Sequence, residues 1–318
     1  MVSAPLDDYS RRWNTRLNFV WGVTAAISNV ISQLELGRPA LLPNLQREPT
    51  LLLFSDYSGQ HKQSKYEAFS FLLTDFKTCR LWDELRTEIR KRVLKDDRRI
   101  SFKGMNDGRK RSVLIPFLNA ANSIPGLIMT ILINKGYSAR FHLSHEERNQ
   151  LPTSLQSWPL NVIRKLTWIS HFGALVFAGL SASRQNLLWF TDEDEIAANA
   201  GRVTAVTSLA AGIISRYVPH DLGHFRFGTA SCDNGDLFIE DFAAIPDLVA
   251  GALAECCQRR SVSSNLSLKL ANETSAKTRV ILAWVAEDTQ PLRRISLSID
   301  PGDKEGKVKV RALDFMLE

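Results

Sequence analysis

The run Gly126-Leu-Ile-Met-Thr-Ile-Leu-Ile-Asn134 is apolar at almost every position. Alternate residues of a strand point to opposite faces, so this run has no face for water and must be a central strand covered on both sides. A chain that carries such a strand needs helices on either side of a sheet. The neighbouring patterns supply both. Thr50–Gly59 reads as a buried strand ending in a turn, Gln60–Lys65 as a polar hairpin loop and Tyr66–Thr74 as a second strand; Asn186–Thr191 and Phe225–Thr229 read as a fourth and a fifth. Helical patterns fall on Phe76–Leu94, Arg109–Ser123 (despite Pro116), Pro159–Ser183, Asp192–Val218 and Asp241–Arg260. The second of the long ones is apolar nearly all round and hence buried. Lys95–Gly108 and Lys135–Ser157 read as irregular, polar segments. Strand, strand, strand, then helices alternating with strands, predicts an α/β fold with a mixed sheet.

The flanks look different from this core. Leu17, Val20, Trp21, Thr24, Ile27, Ile31 and Leu34 share one helical face, which predicts an amphipathic helix docked on the core rather than a signal or a membrane span. A Pro-containing connector, Leu36–Pro49, follows it. Beyond Arg260 a Ser/Asn-rich linker leads to three strand-like runs, Arg279–Val285, Arg293–Ile299 and Lys307–Ala312. The expected organisation is therefore an N-terminal helical arm at 1–49, a core at 50–260 with a helical basic insertion at 76–123, and a small antiparallel β appendage at 261–318. The four cysteines form no C-x-x-C pair, which predicts neither a disulfide framework nor a zinc ribbon and points to a reducing cytoplasm.

Charge is unevenly spread. Between Arg86 and Arg111 lie eleven Lys/Arg against four Asp/Glu, a local net of +7, while the whole 318-residue chain carries only +6. A concentrated positive field attracts polyanions, nucleic acid foremost, although interleaved acids also suit a solvated helix face. Arg98, Arg99, Lys103, Arg109, Lys110 and Arg111 are the candidate phosphate contacts, because they lie in or beside the least regular part.

Acidic residues punctuate the apolar strands. Asp56 ends Leu51-Leu-Leu-Phe-Ser-Asp56, and Asp192 ends Leu187-Leu-Trp-Phe-Thr-Asp192 in the same manner. Asp247 interrupts the apolar Ala244-Ile-Pro-Asp-Leu-Val-Ala-Gly251 segment, with Glu240 seven residues earlier on a shared helical face if the helix begins early. A carboxylate emerging from an apolar strand is costly unless paired or metal-bound. Carboxylates gathered at one sheet end repel, and a pair of Mg²⁺ or Mn²⁺ ions would resolve that repulsion and suit phosphodiester hydrolysis. Each acid also fits a plain role. Asp56 before Tyr57-Ser-Gly59 suits a turn, Asp192 with Glu195 suits a capping box, and Asp247 after Pro246 suits the first turn of a helix. His220-Asp-Leu-Gly-His224 reads as a loop, and the glycine-rich, zincin and nucleophile-elbow motifs are all missing, which weighs against dinucleotide enzymes, P-loop NTPases, zinc proteases and serine hydrolases.

Phe54-Ser-Asp-Tyr-Ser-Gly59 with the following Glu67-Ala-Phe-Ser-Phe-Leu-Leu73, and Ala244-Ile-Pro-Asp-Leu-Val-Ala-Gly-Ala252, together resemble an uncharacterised bacterial family with a ribonuclease H-like fold. That family's first strand usually reads Asp-Glu-Ser-Gly, and its late segment is of the Ala-Asp-Leu-Val-Ala-Gly type. The resemblance spans about residues 50–258, with motif only at its two ends. It implies a ribonuclease H-like mixed sheet and a Mg- or Mn-dependent nuclease, with Asp56 and Asp247 as metal ligands and Asp192 as the acid ending the fourth strand. Two departures stand out. Tyr57 replaces the usual Glu, and Pro159–Ser183 holds no Asp or Glu where ribonuclease H proper has a catalytic Glu. Asp194 or Asp241 would have to substitute; otherwise the chain is a non-cleaving nucleic-acid-binding or assembly protein, with a protein partner or a second copy as further candidate partners.

Overall fold

The protein is described by a computed structural model over residues 12–18, 21–61, 64–94, 98–140, 143–233, 235–258, 267–269, 274–287, 291–302 and 307–316. Its helices are α1 (Gly22–Gly37), α2 (Arg80–Arg92), α3 (Gly108–Ala121), the short α4 (Lys135–Ser138), α5 (His145–Asn149) and α6 (Thr153–Gln156), then α7 (Leu160–Leu180), α8 (Ala200–Tyr217), α9 (Phe238–Cys256) and α10 (Ala276–Ala286). Its strands are β1 (Thr50–Ser58), β2 (Tyr66–Asp75), β3 (Gly126–Asn134), β4 (Asn186–Thr191), β5 (Phe225–Thr229), β6 (Ser267–Lys269), β7 (Leu292–Pro301), β8 (Val308–Ala312) and β9 (Asp314–Met316).

Seven strands form one mixed sheet in the order β5-β4-β1-β2-β3-β7-β8, flanked by helices. β1, β2 and β3 run as an antiparallel meander. β4 lies parallel to β1, and β5 parallel to β4. The α/β class and the mixed sheet expected from the sequence are present.

Strand parity divides the core. Leu51, Leu53, Phe69, Phe71, Met129, Ile131 and Trp189 face one apolar layer, shared with Ile27 and Ile31 of α1 and with the buried face of α7. Leu52, Phe54, Ala68, Leu72, Ile128 and Leu132 face the other, built from α2, α3, α9 and α10. α7 is buried over most of its length, as its all-round apolarity requires. The N-terminal arm joins the first layer. Trp13 is 1% exposed, its backbone N–H is held by the Glu35 carboxylate, and its indole donates to Ser28 Oγ at 2.9 Å.

The C-terminal part departs from the expected appendage. Ala276–Ala286 is a helix, not a strand: Ser275 accepts from the Thr278 N–H as N-cap, and Ile281, Leu282 and Val285 are buried on one side. β7 pairs in parallel with β3, and β8 extends the same sheet. The reason lies in β3 itself, whose apolar edge would otherwise be open for pairing. β6 and β9 form a separate two-stranded ladder. Among the described residues, no helix is long and apolar enough to cross a membrane.

Candidate functional site

Asp56 follows Leu52 and Phe54 in parity, so its side chain leaves β1 on the face that α9 covers. The parallel register pairs Ser55 with Thr191, so Asp56 and Asp192 leave their strands side by side at the same end of the sheet. α9 reaches this end because its start is fixed. Leu237 adopts φ 53°, and the Asp233 carboxylate accepts the N–H groups of Ile239 at 2.6 Å and Glu240 at 3.2 Å. Glu240, Ala243, Ala244 and Asp247 then fall on one helical face. With Asp56, Asp192, Arg99 and Lys103 they line a cleft of about 370 Å³. The small alanine side chains keep that wall low.

Asp56 and Asp247 line the same cleft, where the charge of Asp247 bears on the Asp56 carboxyl. Burial pushes the Asp56 carboxyl well above its ordinary range; repulsion from Asp247 and then Asp192 adds to the rise, and the Lys165 ammonium opposes it. Burial likewise pushes Asp247 up to about 6, while the Phe102 amide and Lys277 pull the other way. Two half-buried carboxyls that repel one another favour a proton, or a cation. Glu240 is also raised by burial. Arg99 approaches Glu240 Oε1 to 2.9 Å. That buried oxygen nevertheless accepts no aligned hydrogen bond among the described residues.

The basic segment is clipped over this cleft at Phe102. Its N–H donates to Asp247 Oδ2 at 2.6 Å, and its carbonyl accepts from Lys277 Nζ at 2.8 Å. The same ammonium lies 4.0 Å from the centroid of the Phe102 ring. Gly251 seats that ring: a Cβ there would fall 2.3 Å from Phe102 Cγ. Phe102 and Lys277 carried no sequence signal, since neither belongs to a motif.

The other candidates are placed as follows. Asp192 is exposed and is not a helix cap; its Oδ1 accepts from Glu193 N–H, and Asn199 caps α8 instead. Asp247 lies mid-helix rather than in a first turn, because α9 already begins at Phe238. Asp194 is taken by Lys165 at 2.5 Å. Asp241 is 1% exposed and locked to Arg90 at 2.5 Å and Arg86 at 3.4 Å, a buried pair that ties α2 to α9 away from the cleft lining. So two of the expected auxiliary acids already have cationic partners. Of the basic candidates, Arg99 and Lys103 line the cleft. Arg98 lies 4.0 Å from Asp107, and Arg111 donates to the Asn106 carbonyl. The side chains of Arg109 and Lys110 lie outside the described residues. His220 holds the Ser181 carbonyl at 3.1 Å, a loop contact.

Every acidic donor in the cleft is a carboxylate oxygen, and neither sulfur nor imidazole lines it. Such hard donors suit Mg²⁺ or Mn²⁺. The raised Asp56 and Asp247 carboxyls are groups that a divalent cation would satisfy. Among the described residues, however, no three His, Cys, Asp or Glu side chains converge as a ready-made metal group. No protein-family model and no curated protein matches this chain.

Proposed function

We propose that this chain is a ribonuclease H-like, metal-dependent nuclease that hydrolyses phosphodiester bonds of DNA or RNA. The strand order β3-β2-β1-β4-β5, with β2 reversed, supports the fold reading. The observation that carries the functional one is Asp56, two residues before the end of β1, facing Asp247 across a cleft that Asp192, Arg99 and Lys103 also line. Clefts at the carboxyl ends of parallel strands are the usual ligand sites of α/β sheets. Asp56 and Asp247 would hold the divalent cation, with Asp192 completing the donor set. The bound ion would polarise a phosphoryl oxygen and acidify a water. Lys103 and Arg99 position the phosphate, and the Phe102 amide fixes the Asp247 carboxylate.

The test is Mn²⁺-dependent cleavage of a panel of single- and double-stranded DNA and RNA, with Asp56→Asn and Asp247→Asn as controls. Loss of cleavage in folded variants is the expected result. Full activity in either variant overturns the catalytic assignment.

A second reading is favoured by the charge on α7. That helix presents Lys165 and no carboxylate to the neighbourhood of Asp56. On this reading the chain is a degenerate, non-cleaving nucleic-acid-binding or assembly protein on the same scaffold. Binding of nucleic acid without cleavage, and without a Mn²⁺-induced rise in melting temperature, would select it.

A further inference from the structure

Lys277 is a buried cation in an unfavourable place on its helix. It is 8% exposed and lies in the first turn of α10, where the macrodipole disfavours positive charge. Burial also disfavours its ammonium, while the charges of Glu255 and Asp247 favour it. What Lys277 does there is grip one residue of the basic segment. Its Nζ donates to the Phe102 carbonyl at 2.8 Å and stands 4.0 Å from the centroid of the Phe102 ring. The same ring rests against Gly251 of α9. The two helices are themselves joined, since the Glu255 carboxylate accepts the Ser275 N–H at 3.0 Å. Phe102 is thus plugged into a socket that α9 and α10 build together.

The cations that line the cleft depend on this plug. Arg99 and Lys103 lie on either side of Phe102 in the chain, and both line the cleft. Residues 98–101 are neither helix nor strand, and Lys103 only opens a 3-10 turn of four residues. Arg99 also meets Glu240 at 2.9 Å, but at Phe102 both the N–H and the carbonyl of one residue are held, by Asp247 and by Lys277. Ordering an irregular segment costs conformational entropy, and a segment ordered in advance spares a ligand that cost. We infer that Lys277 is a positioning residue of this cleft: acting through Phe102, it holds Arg99 and Lys103 where they meet phosphate. The late helix α10 thereby belongs to the nucleic-acid site, although none of its residues lines the cleft.

The inference rests on the nucleic-acid reading above, and binding measured apart from cleavage separates the two. The full chain is titrated in chelator with labelled single- and double-stranded DNA and RNA at several salt concentrations. Lys277→Met keeps the aliphatic stem and removes the ammonium. It should weaken binding about tenfold and flatten the slope of log K against log salt by up to about 2, the share of two phosphates. A merely structural loss would lower the folded fraction and leave the affinity and salt slope of the folded molecules unchanged. On a background of Arg99→Ala with Lys103→Ala, Lys277→Met should cost no further affinity, because Lys277 acts through those two residues. If Lys277→Met does not fold by circular dichroism, Lys277→Gln, neutral and one bond shorter, carries the same comparison. Parent-like affinity and slope in the folded variant overturn the inference and leave the nucleic-acid reading intact. A loss undiminished on the double-variant background does the same. A chain that binds none of these nucleic acids overturns both, and one that binds without cleaving when Mn²⁺ is added overturns the cleavage reading alone.

Discussion

The backbone N–H of Phe102 donates to the Asp247 carboxylate at 2.6 Å, so the irregular basic segment and the acidic helix α9 are joined at the atom on which the cleft depends. One Asp247 oxygen is thereby fixed. Lys277 holds the other side of the same residue through the Phe102 carbonyl. The basic residues Arg99 and Lys103, on either side of Phe102, are delivered to the cleft by this clip rather than by a regular helix.

Asp247→Asn should stabilise the metal-free protein at neutral pH. The folded-state value of Asp247, about 6, lies above the ordinary 3.8. A raised acid contributes stability that is fully present below the unfolded value and is lost as pH rises through the folded one. In chelator, the unsubstituted protein should therefore weaken between about pH 4 and pH 6 more than the Asn variant, which keeps only the raised Asp56 carboxyl. The expected gain at pH 8 is at most about 3 kcal/mol, vanishing below pH 4, as read from urea unfolding at several pH values. Added Mn²⁺ should reverse the order, because only the unsubstituted chain keeps the ligand. An Asn variant no more stable than the parent at pH 8 would contradict the buried-pair account.

Arg90→Ala should cost stability without costing specific binding. It leaves Asp241, 1% exposed, with Arg86 at 3.4 Å as its remaining cation. Breaking a buried pair from one side is typically worth about 3–5 kcal/mol, and Lys91→Ala, on an exposed neighbour, should cost under about 0.5 kcal/mol. Equal denaturation midpoints for the two variants would refute the pairing. Affinity for nucleic acid per folded molecule should be unchanged in both.

Arg99→Ala with Lys103→Ala should weaken nucleic-acid binding and flatten its salt dependence. Each neutralised phosphate of B-DNA contributes about 0.9 to the slope of log K against log salt, so losing two contacts should reduce the slope by about 2. The matched control is Arg98→Ala, whose guanidinium faces Asp107. A salt titration of a labelled duplex decides it: an unchanged slope in the double variant means that these cations serve Glu240 and the protein surface rather than phosphate.

Much of this architecture was written locally. The apolar run 126–134 requires a covered strand, and the parity of Leu52, Phe54 and Asp56 requires the acid to emerge under a helix. The class of fold and the end of the sheet where Asp56 and Asp192 sit follow from such rules. What local pattern could not carry was partnership. Arg279–Val285 is rich in β-branched residues and reads as a strand, but the Ser275 cap and the packing of Ile281 and Leu282 make it helical. The run at 293–299 has a strand pattern and no label for which edge it joins; the open edge of β3 decides that. Asp241 and Asp194 look like free acids in sequence, yet their cations come from α2 and α7, many residues away. The same holds for Lys277, whose importance rests on one peptide carbonyl 175 residues earlier.

Gly251→Ala should be destabilising, and Phe102→Ala should reduce the difference. A Cβ at Gly251 would lie 2.3 Å from Phe102 Cγ and 2.4 Å from Cδ1, closer than packed carbons approach. Overpacking of this kind usually costs about 1–3 kcal/mol. The ring cannot retreat freely, because its peptide is held by Asp247 on one side and Lys277 on the other. Gly251→Ala should thus lift Phe102 away from α9, lengthen the amide contact to Asp247 and raise that carboxyl further, since the amide is one of the groups that lowers it. Phe102→Ala alone should cost stability through lost burial while keeping the N–H that Asp247 accepts. In the double variant the ring clash is gone but the Cβ at 102, 2.7 Å from the added Cβ, remains, so the Gly251→Ala cost measured on that background should fall in part. The double-mutant cycle is the measurement, with a coupling of about 1–3 kcal/mol expected between the two sites. Additive effects would mean that Phe102 does not rest on Gly251 in solution, and the clip between the basic segment and Asp247 would lose its structural basis.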